Sequence, residues 1–305
     1  MAQTEPTRHT SAYYLGCPIW TEPSWIGPIL PSKTNSKTIL KAYSKLFNTV
    51  EGGSTFYALP PMATIERWMA EAGPNFRFAM KFPKAISHER RLMAAHNETA
   101  AFLKILEAMA DGGRLGPAFL QLPPSFNINS IDILEAYIKN LPSDFNYAVE
   151  IRHISFFDNA DNQQRLDDLL SNEKVNKVIF DSRPLFSSEP QDPKEAEAQK
   201  RKPHFPVHYD STADTPFVRF IARNEIEVNA PWIKESAQAV NKWILEGKKP
   251  YIFIHAADEA NAPRVAKAFN DQLRRINPLI PKTPPFASET SPSSPPADGE
   301  QLDLF

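Results

Sequence analysis

Residues 117–153 read PAFLQLPPSFNINSIDILEAYIKNLPSDFNYAVEIRH, and the fold is decided by how this stretch alternates. An apolar run at 117–122 leads into apolar residues at helical spacing, Leu134, Tyr137, Ile138 and Leu141, and then into a second β-branched and aromatic run at 147–151. These periods predict a strand, an amphipathic helix and another strand. From the end of one strand to the end of the next is about 30 residues, the length of one strand plus a crossover helix, so the two strands are expected to lie parallel.

The same unit recurs on both sides. Strand candidates fall at 12–17, 47–51, 76–82, 117–122, 147–151, 177–181, 216–221 and 250–255. Helical spacing between them appears as Ile39, Leu40, Tyr43, Leu46; as Ile65, Trp68, Met69, Ala72; as Phe102, Leu103, Leu106, Met109; and later as Leu166, Leu169, Leu170, as Trp232, Ile233, Val240, Trp243 and as Val265, Phe269, Leu273, Ile276. Eight such units predict a TIM (β/α)8 barrel over residues 12–277, preceded by a segment at 1–11. No G-x-G-x-x-G follows any strand, which removes the main support for a dinucleotide-binding sheet.

Two stretches break the pattern. Residues 184–215 are polar and proline-broken, a long loop after the sixth strand on the face where barrels carry chemistry. Residues 278–300 are rich in Pro and Ser and read as a disordered linker, ending on Gln301, Leu302, Asp303, Leu304 and Phe305. Pro is 29 of 305 residues and Gly only 10, and the linker accounts for part of that excess.

Lys and Arg number 34 and Asp and Glu 36, for a net charge of −2, so any polyanion must be held by a local cluster and not by the field of the whole chain. The one cysteine, Cys17, excludes an internal disulfide and reads as a packed thiol. There is no apolar signal-peptide core near the start and no run near the roughly 18 apolar residues of a membrane helix, so a cytoplasmic protein with no membrane partner is expected.

Chemistry is expected at the C-terminal ends of the strands. Those ends supply the acids Glu51, Glu150 and Asp181, the cations Lys81, Arg152, Arg183, Arg219 and Arg223, and Trp20, Ser54, Tyr57, His88, Gln121, His153 and His255. Glu150 with Arg152, and Asp181 with Arg183, are two apart and can share a face, either as structural ion pairs or as part of an anion site in which guanidinium forks take phosphate or carboxylate. Glu150 is the first choice for moving a proton, with Asp181 and His255 assisting. A divalent ion on Glu51, Glu150, Asp181 and His255 is chemically sensible but has no H-x-x-x-H or comparable spacing behind it, so no metal or cofactor is assigned. Trp20 and Trp25 with Phe56 and Tyr57 could form an aromatic rim. Lys200-Arg201-Lys202-Pro203-His204 reads as a solvated turn unless the long loop folds over the barrel mouth.

At these residues a resemblance emerges. GCPIW, FNTVEGGSTFYALP, FRFAMKFPKAISHERRL, LGPAFLQLPPSF, YAVEIRHISFF, VIFDSRP, KRKPHFPVH, FVRFIARNE and YIFIHAADEANAP occur in the order that resembles the YecE-like proteins, the domain of unknown function 72 family. The resemblance spans nearly all of residues 12–275. It implies a TIM barrel without a settled activity, with recurring polar positions at Glu51, Ser54, Tyr57, Lys81, His88, Gln121, Glu150, Arg152, His153, Asp181 and Arg219. Ile221-Ala222 stands where many members have His-Gly, so an activity depending on a seventh-strand histidine is not expected of this chain.

Separately, QLDLF resembles the bacterial sliding-clamp-binding pentapeptide, whose apolar residues suit a groove. Two functions are therefore expected to compete. One is an enzyme, a hydrolase or lyase, acting on a phosphorylated or otherwise anionic substrate, nucleic acid included, and tethered to the clamp by this tail. The other is a non-catalytic adaptor that binds an anionic ligand.

Overall fold

A computed structural model describes residues 11–290. All eight expected strands form: β1 Tyr14–Cys17, β2 Thr49–Gly52, β3 Arg77–Met80, β4 Ala118–Gln121, β5 Tyr147–Glu150, β6 Asn176–Asp181, β7 Phe217–Ala222 and β8 Tyr251–Ala256. They pair in parallel in the order β3-β2-β1-β8-β7-β6-β5-β4. Isolated bridges between Phe78 and Leu115 and between Lys81 and Phe119 close the remaining seam between β3 and β4. The result is a TIM barrel.

The helices are α1 Ile39–Tyr43, α2 Met62–Glu71, α3 His96–Asp111, α4 Ile131–Lys139, α5 Ala160–Asn172, α6 Pro193–Arg201, α7 Ala230–Leu245, α8 Ala262–Ile276 and α9 Ala287–Thr290. Each long helix buries one apolar stripe on the sheet; α7, for example, buries Ile233, Ala237, Val240 and Trp243. Pro231 stands in its first turn, and Gly247, at φ +80, turns the chain away after its last. Among the described residues no helix is long and apolar enough to cross a membrane.

Inside the barrel the side chains lie in layers. The lower layer is one buried cluster of Tyr14, Ala79, Phe119, Ala148, Val178, Phe217, Tyr251 and Phe253, with Tyr14 stacked on Tyr251 at 4.3 Å between ring centres. A strand repeats its facing every second residue. Two residues beyond six of these positions therefore lie Lys81, Gln121, Glu150, Phe180, Arg219 and His255, all pointing into the mouth. The floor of the mouth is thus aromatic and its walls are polar.

Two expectations need correction. The 184–215 segment contains the helix α6, capped by Asp192, whose carboxylate accepts from the backbone N–H groups of Lys194 and Glu195. The linker expected from 278 onward does not begin there. Ile280 and Phe286 are buried, Asn270 donates to the Pro281 carbonyl and to Thr283, and the N–H groups of Ala287 and Ser288 donate to the carbonyls of Ile29 and Pro28. Composition averaged over the stretch hides two well-placed apolar anchors, enough to hold a short segment on the barrel wall. The remainder of the expected linker and the pentapeptide Gln301–Phe305 lie outside the described residues, as do residues 1–10 of the N-terminal segment.

Candidate active site at the barrel mouth

Arg219, on β7, is buried at the centre of the mouth. Its Nε and Nη2 donate to the two carboxylate oxygens of Glu51 at 2.7 and 2.9 Å, and its Nη1 donates to Glu150. Arg152 approaches Glu150 from the other side through Nε and reaches Gln121 Oε1 with Nη2 at 3.4 Å. His255 Nε2 lies 3.1 Å from Glu51, and its Nδ1 lies 3.6 Å from Glu259. Planar guanidinium forks suit this bridging of carboxylates drawn from separate strands.

Burial alone would raise the pKa values of both acids. For Glu150 the Arg152 and Arg219 charges overcome that effect and hold it down at about 2. Glu51 is likewise held well below the carboxylate range, because Arg219 and His255 outweigh its burial. Both carboxylates stay ionised near neutrality and hold the guanidiniums in place. Glu150 is therefore poorly placed to carry the proton-transfer role expected of it, which needs a group poised near the working pH.

The excess charge lies elsewhere. Lys81 Nζ donates to the neutral amide oxygen of Gln121 at 2.9 Å and stands 3.9 Å from the centre of the Phe56 ring. Burial, and then the Arg219 charge, lowers its pKa to about 8. Lys202, just beyond α6, is close enough to Arg219, Glu259, Arg152 and Glu51 to feel their charges, and burial lowers it to about 8 as well. Among the described residues the Lys202 ammonium has no hydrogen-bond or ion-pair partner. Elsewhere in the basic run, Arg201 pairs with Glu197 on the surface, and His204 packs on Phe186.

A cleft of about 840 Å³ opens between the loops after β1, β2 and β3. Trp20, Glu51, Ser54, Phe56, Tyr57, Lys81 and Arg219 line it, with Trp68 and Lys37 at its edge. That volume suits a small-molecule ligand. Tyr57 stands 83% exposed at the rim, an uncommon position for so large an aromatic. His88 sits on one turn of π-helix, Ala85–Glu89, edge-on to Phe56, and is lowered by burial and by Lys81.

Of the residues expected in the site, Trp20, Glu51, Ser54, Tyr57, Lys81, Gln121, Glu150, Arg152, Arg219 and His255 gather at the mouth, with His88 beside it. Asp181 does not. Phe180, its neighbour, occupies the inward position on β6 beneath Arg152 and Arg219, so Asp181 points outward. There it accepts from Arg183 and from the Tyr209 hydroxyl at 2.8 Å, while Arg183 also reaches Glu235 on α7. Asp181 and Arg183 form a barrel-to-helix brace, and the four residues weighed as metal ligands do not converge. His153 caps the turn at Ile154–Phe156 by accepting from the Ser155 N–H. Trp25 is fully buried on Tyr43 and takes no part in the rim. Cys17 is a buried thiol, pushed up by burial.

Sequence reasoning missed Phe119, Phe180 and Glu259. Phe119 and Phe180 read as ordinary core, yet the Arg219 guanidinium lies 5.6 Å from the centre of each ring. The cation they face, Arg219, is 100 and 39 residues away in sequence, so no local pattern marks the pairing.

The family model described as "Protein of unknown function DUF72" matches residues 14–288. The chain is 34% identical over 278 residues to UPF0759 protein YecE of Escherichia coli K12, covering 91% of this chain and 98% of that protein. It is 29% identical over 151 residues to UPF0759 protein YunF of Bacillus subtilis, covering 47% and 52% of the two chains. Among solved structures, a DUF72 family protein of Enterococcus faecalis superposes with a TM-score of 0.65 at 18% identity, covering 90% of this chain and 98% of that one. A DUF72 family protein of Thermotoga maritima gives 0.63 at 21% identity, with coverage of 88% and 99%. The barrel, the run of strand-end polar residues and a match along nearly the whole described length together make this chain a YecE-like member of the DUF72 family.

Proposed function

We propose that the mouth binds, and as an enzyme transforms, a small molecule bearing a phosphate or carboxylate. The observation that carries this reading is the unmatched positive charge. Two guanidiniums are answered by two carboxylates, while the ammoniums of Lys81 and Lys202 have none within ion-pairing distance among the described residues. Holding such charges together is unfavourable until an anion arrives, so an anion gains more here than at a neutral surface. Lys202 and the outward edge of Arg152 would take the anionic group, and Trp20, Phe56 and Tyr57 would cover the uncharged part. With Glu51 and Glu150 held ionised, two groups lowered to about 8 remain, and of these Lys81, which lines the cleft, is the one to give or take a proton.

The test is a thermal-shift and turnover panel of inorganic phosphate, sugar phosphates, small dicarboxylates and a short oligonucleotide. Stabilisation by a small anion that weakens in Lys202→Gln is expected. Equal response of the wild type and Lys202→Gln would remove the anion site, and stabilisation by the oligonucleotide alone would shift the ligand class to nucleic acid. Binding without turnover across the panel would favour the adaptor reading.

We further propose that Gln301–Phe305 docks on the bacterial sliding clamp, a reading that rests on its residue pattern. Clamp pull-down should be lost on replacing Leu304 and Phe305 with alanine, and retained capture would refute it.

A further inference from the structure

Lys81 differs from Lys177, a buried lysine of the barrel. Lys177 donates to the Asp167 carboxylate at 2.6 Å. Lys81 has only the Gln121 amide oxygen, a partner that accepts an N–H from a neutral amine as readily as from an ammonium. The carboxylates nearest to it, Glu51 and Glu150, are already engaged by Arg219, Arg152 and His255. Its Nζ opens onto the cleft and rests against the Phe56 ring.

We propose that Lys81 is a covalent amine, forming an imine with the carbonyl group of an aldehyde or ketone that also carries a phosphate or carboxylate. This rests on the anion-binding reading above and names the substrate class within it. A lysine becomes nucleophilic when it is desolvated and set beside other cations, and both conditions hold here. The neutral amine adds its lone pair to the carbonyl carbon, giving a carbinolamine. The carbinolamine then expels its oxygen as water, so that one C=O and two N–H bonds are exchanged for one C=N and a water molecule, with no net oxidation. Protonated, that imine withdraws electrons from the neighbouring carbon, while Lys202 and Arg152 hold the anionic end. The lowered pKa of about 8 makes neutral amine available at physiological pH.

The experiment treats the full chain with dihydroxyacetone phosphate, pyruvate or uncharged acetone in separate reactions, each with sodium cyanoborohydride, followed by peptide mapping by mass spectrometry. A reduced adduct at Lys81 is expected, exceeding that at surface lysines by at least about tenfold and rising through pH 8. Lys81→Arg should leave only the surface background. Adducts spread evenly over the lysines, or none, would overturn the proposal, and this result comes from the wild type alone, whatever the variant's stability. Glycerol 3-phosphate and lactate, which lack the carbonyl, separate the two readings in a parallel thermal-shift assay. If they bind and no Lys81 adduct forms, the imine is refuted and the anion site survives. If acetone labels Lys81 selectively and no anion binds, the amine chemistry stands and the anion reading falls.

Discussion

Arg219 and Arg223 leave the same strand four residues apart, and both are buried, but they serve regions built on different balances. Arg223 turns outward to α6. It donates to both oxygens of Glu195, to Ser188 and to the Glu189 carbonyl, while Glu195 also accepts from the Gln191 and Asn224 N–H groups. Asn224 in turn binds Asp192 and the Asp258 N–H. Every charge there has its partner, and the network staples the 184–215 segment to the ends of β7 and β8. Around Arg219 the carboxylates are also satisfied, but two ammoniums are not. Matched buried charge holds a loop, whereas unmatched charge beside a cleft waits for a ligand.

Removing the centre of the mouth should have the largest effect. Arg219→Met leaves Glu51 and Glu150 buried without their shared cation, and we expect a loss of about 3–5 kcal/mol in urea unfolding. The same network sets the acid response. Both carboxylates have lowered folded-state pKa values, so their stabilisation is present above the ordinary value of 4.5 and is lost as pH falls toward about 2. A stability profile flat across that acid range would contradict the pairing.

Breaking the staple should cost less and act locally. Glu195→Gln is expected to lose about 2–3 kcal/mol and to speed amide exchange across 188–204 while the strands stay protected. Uniform exchange throughout the barrel would show that the two regions are not separate. Lys202→Gln should weaken binding of a small anion about tenfold, near 1.4 kcal/mol, with little change in stability measured without ligand. The smallest effect is expected from Arg201→Ala, one residue away, because its i,i+4 pair with Glu197 is solvent-exposed. Its affinity and unfolding midpoint should match the wild type, and a drop equal to that of Lys202→Gln would mean that the whole basic run binds.

How far the site was legible depended on strand parity. Lys81, Gln121, Glu150, Arg219 and His255 could be found because each follows an inward residue by two in a recognisable apolar run. Asp181 was misplaced by one residue: it ends its strand like the others, but Phe180 holds the inward position, and a shift of one reverses the facing. The helix α6 was hidden because it buries only Glu195 and Ala198 and so has no apolar stripe to read. It is held by the Arg223 ion pair, a contact 28 residues away in sequence. Ile280 and Phe286 were lost for the opposite reason, two anchors within a stretch that is polar and proline-rich on average.

Local periodicity was sufficient for eight strands, for seven of the helices between and after them and for the barrel they build, because burial writes a repeating apolar pattern along the chain. Which charges meet was decided only when the barrel closed, since Glu51, Lys81, Glu150, Lys202 and Arg219 come from five separate segments. Their pKa values depend on distances and desolvation that no local pattern contains. The chemistry of the mouth is thus a property of the closed ring and of the segment stapled to the ends of β7 and β8.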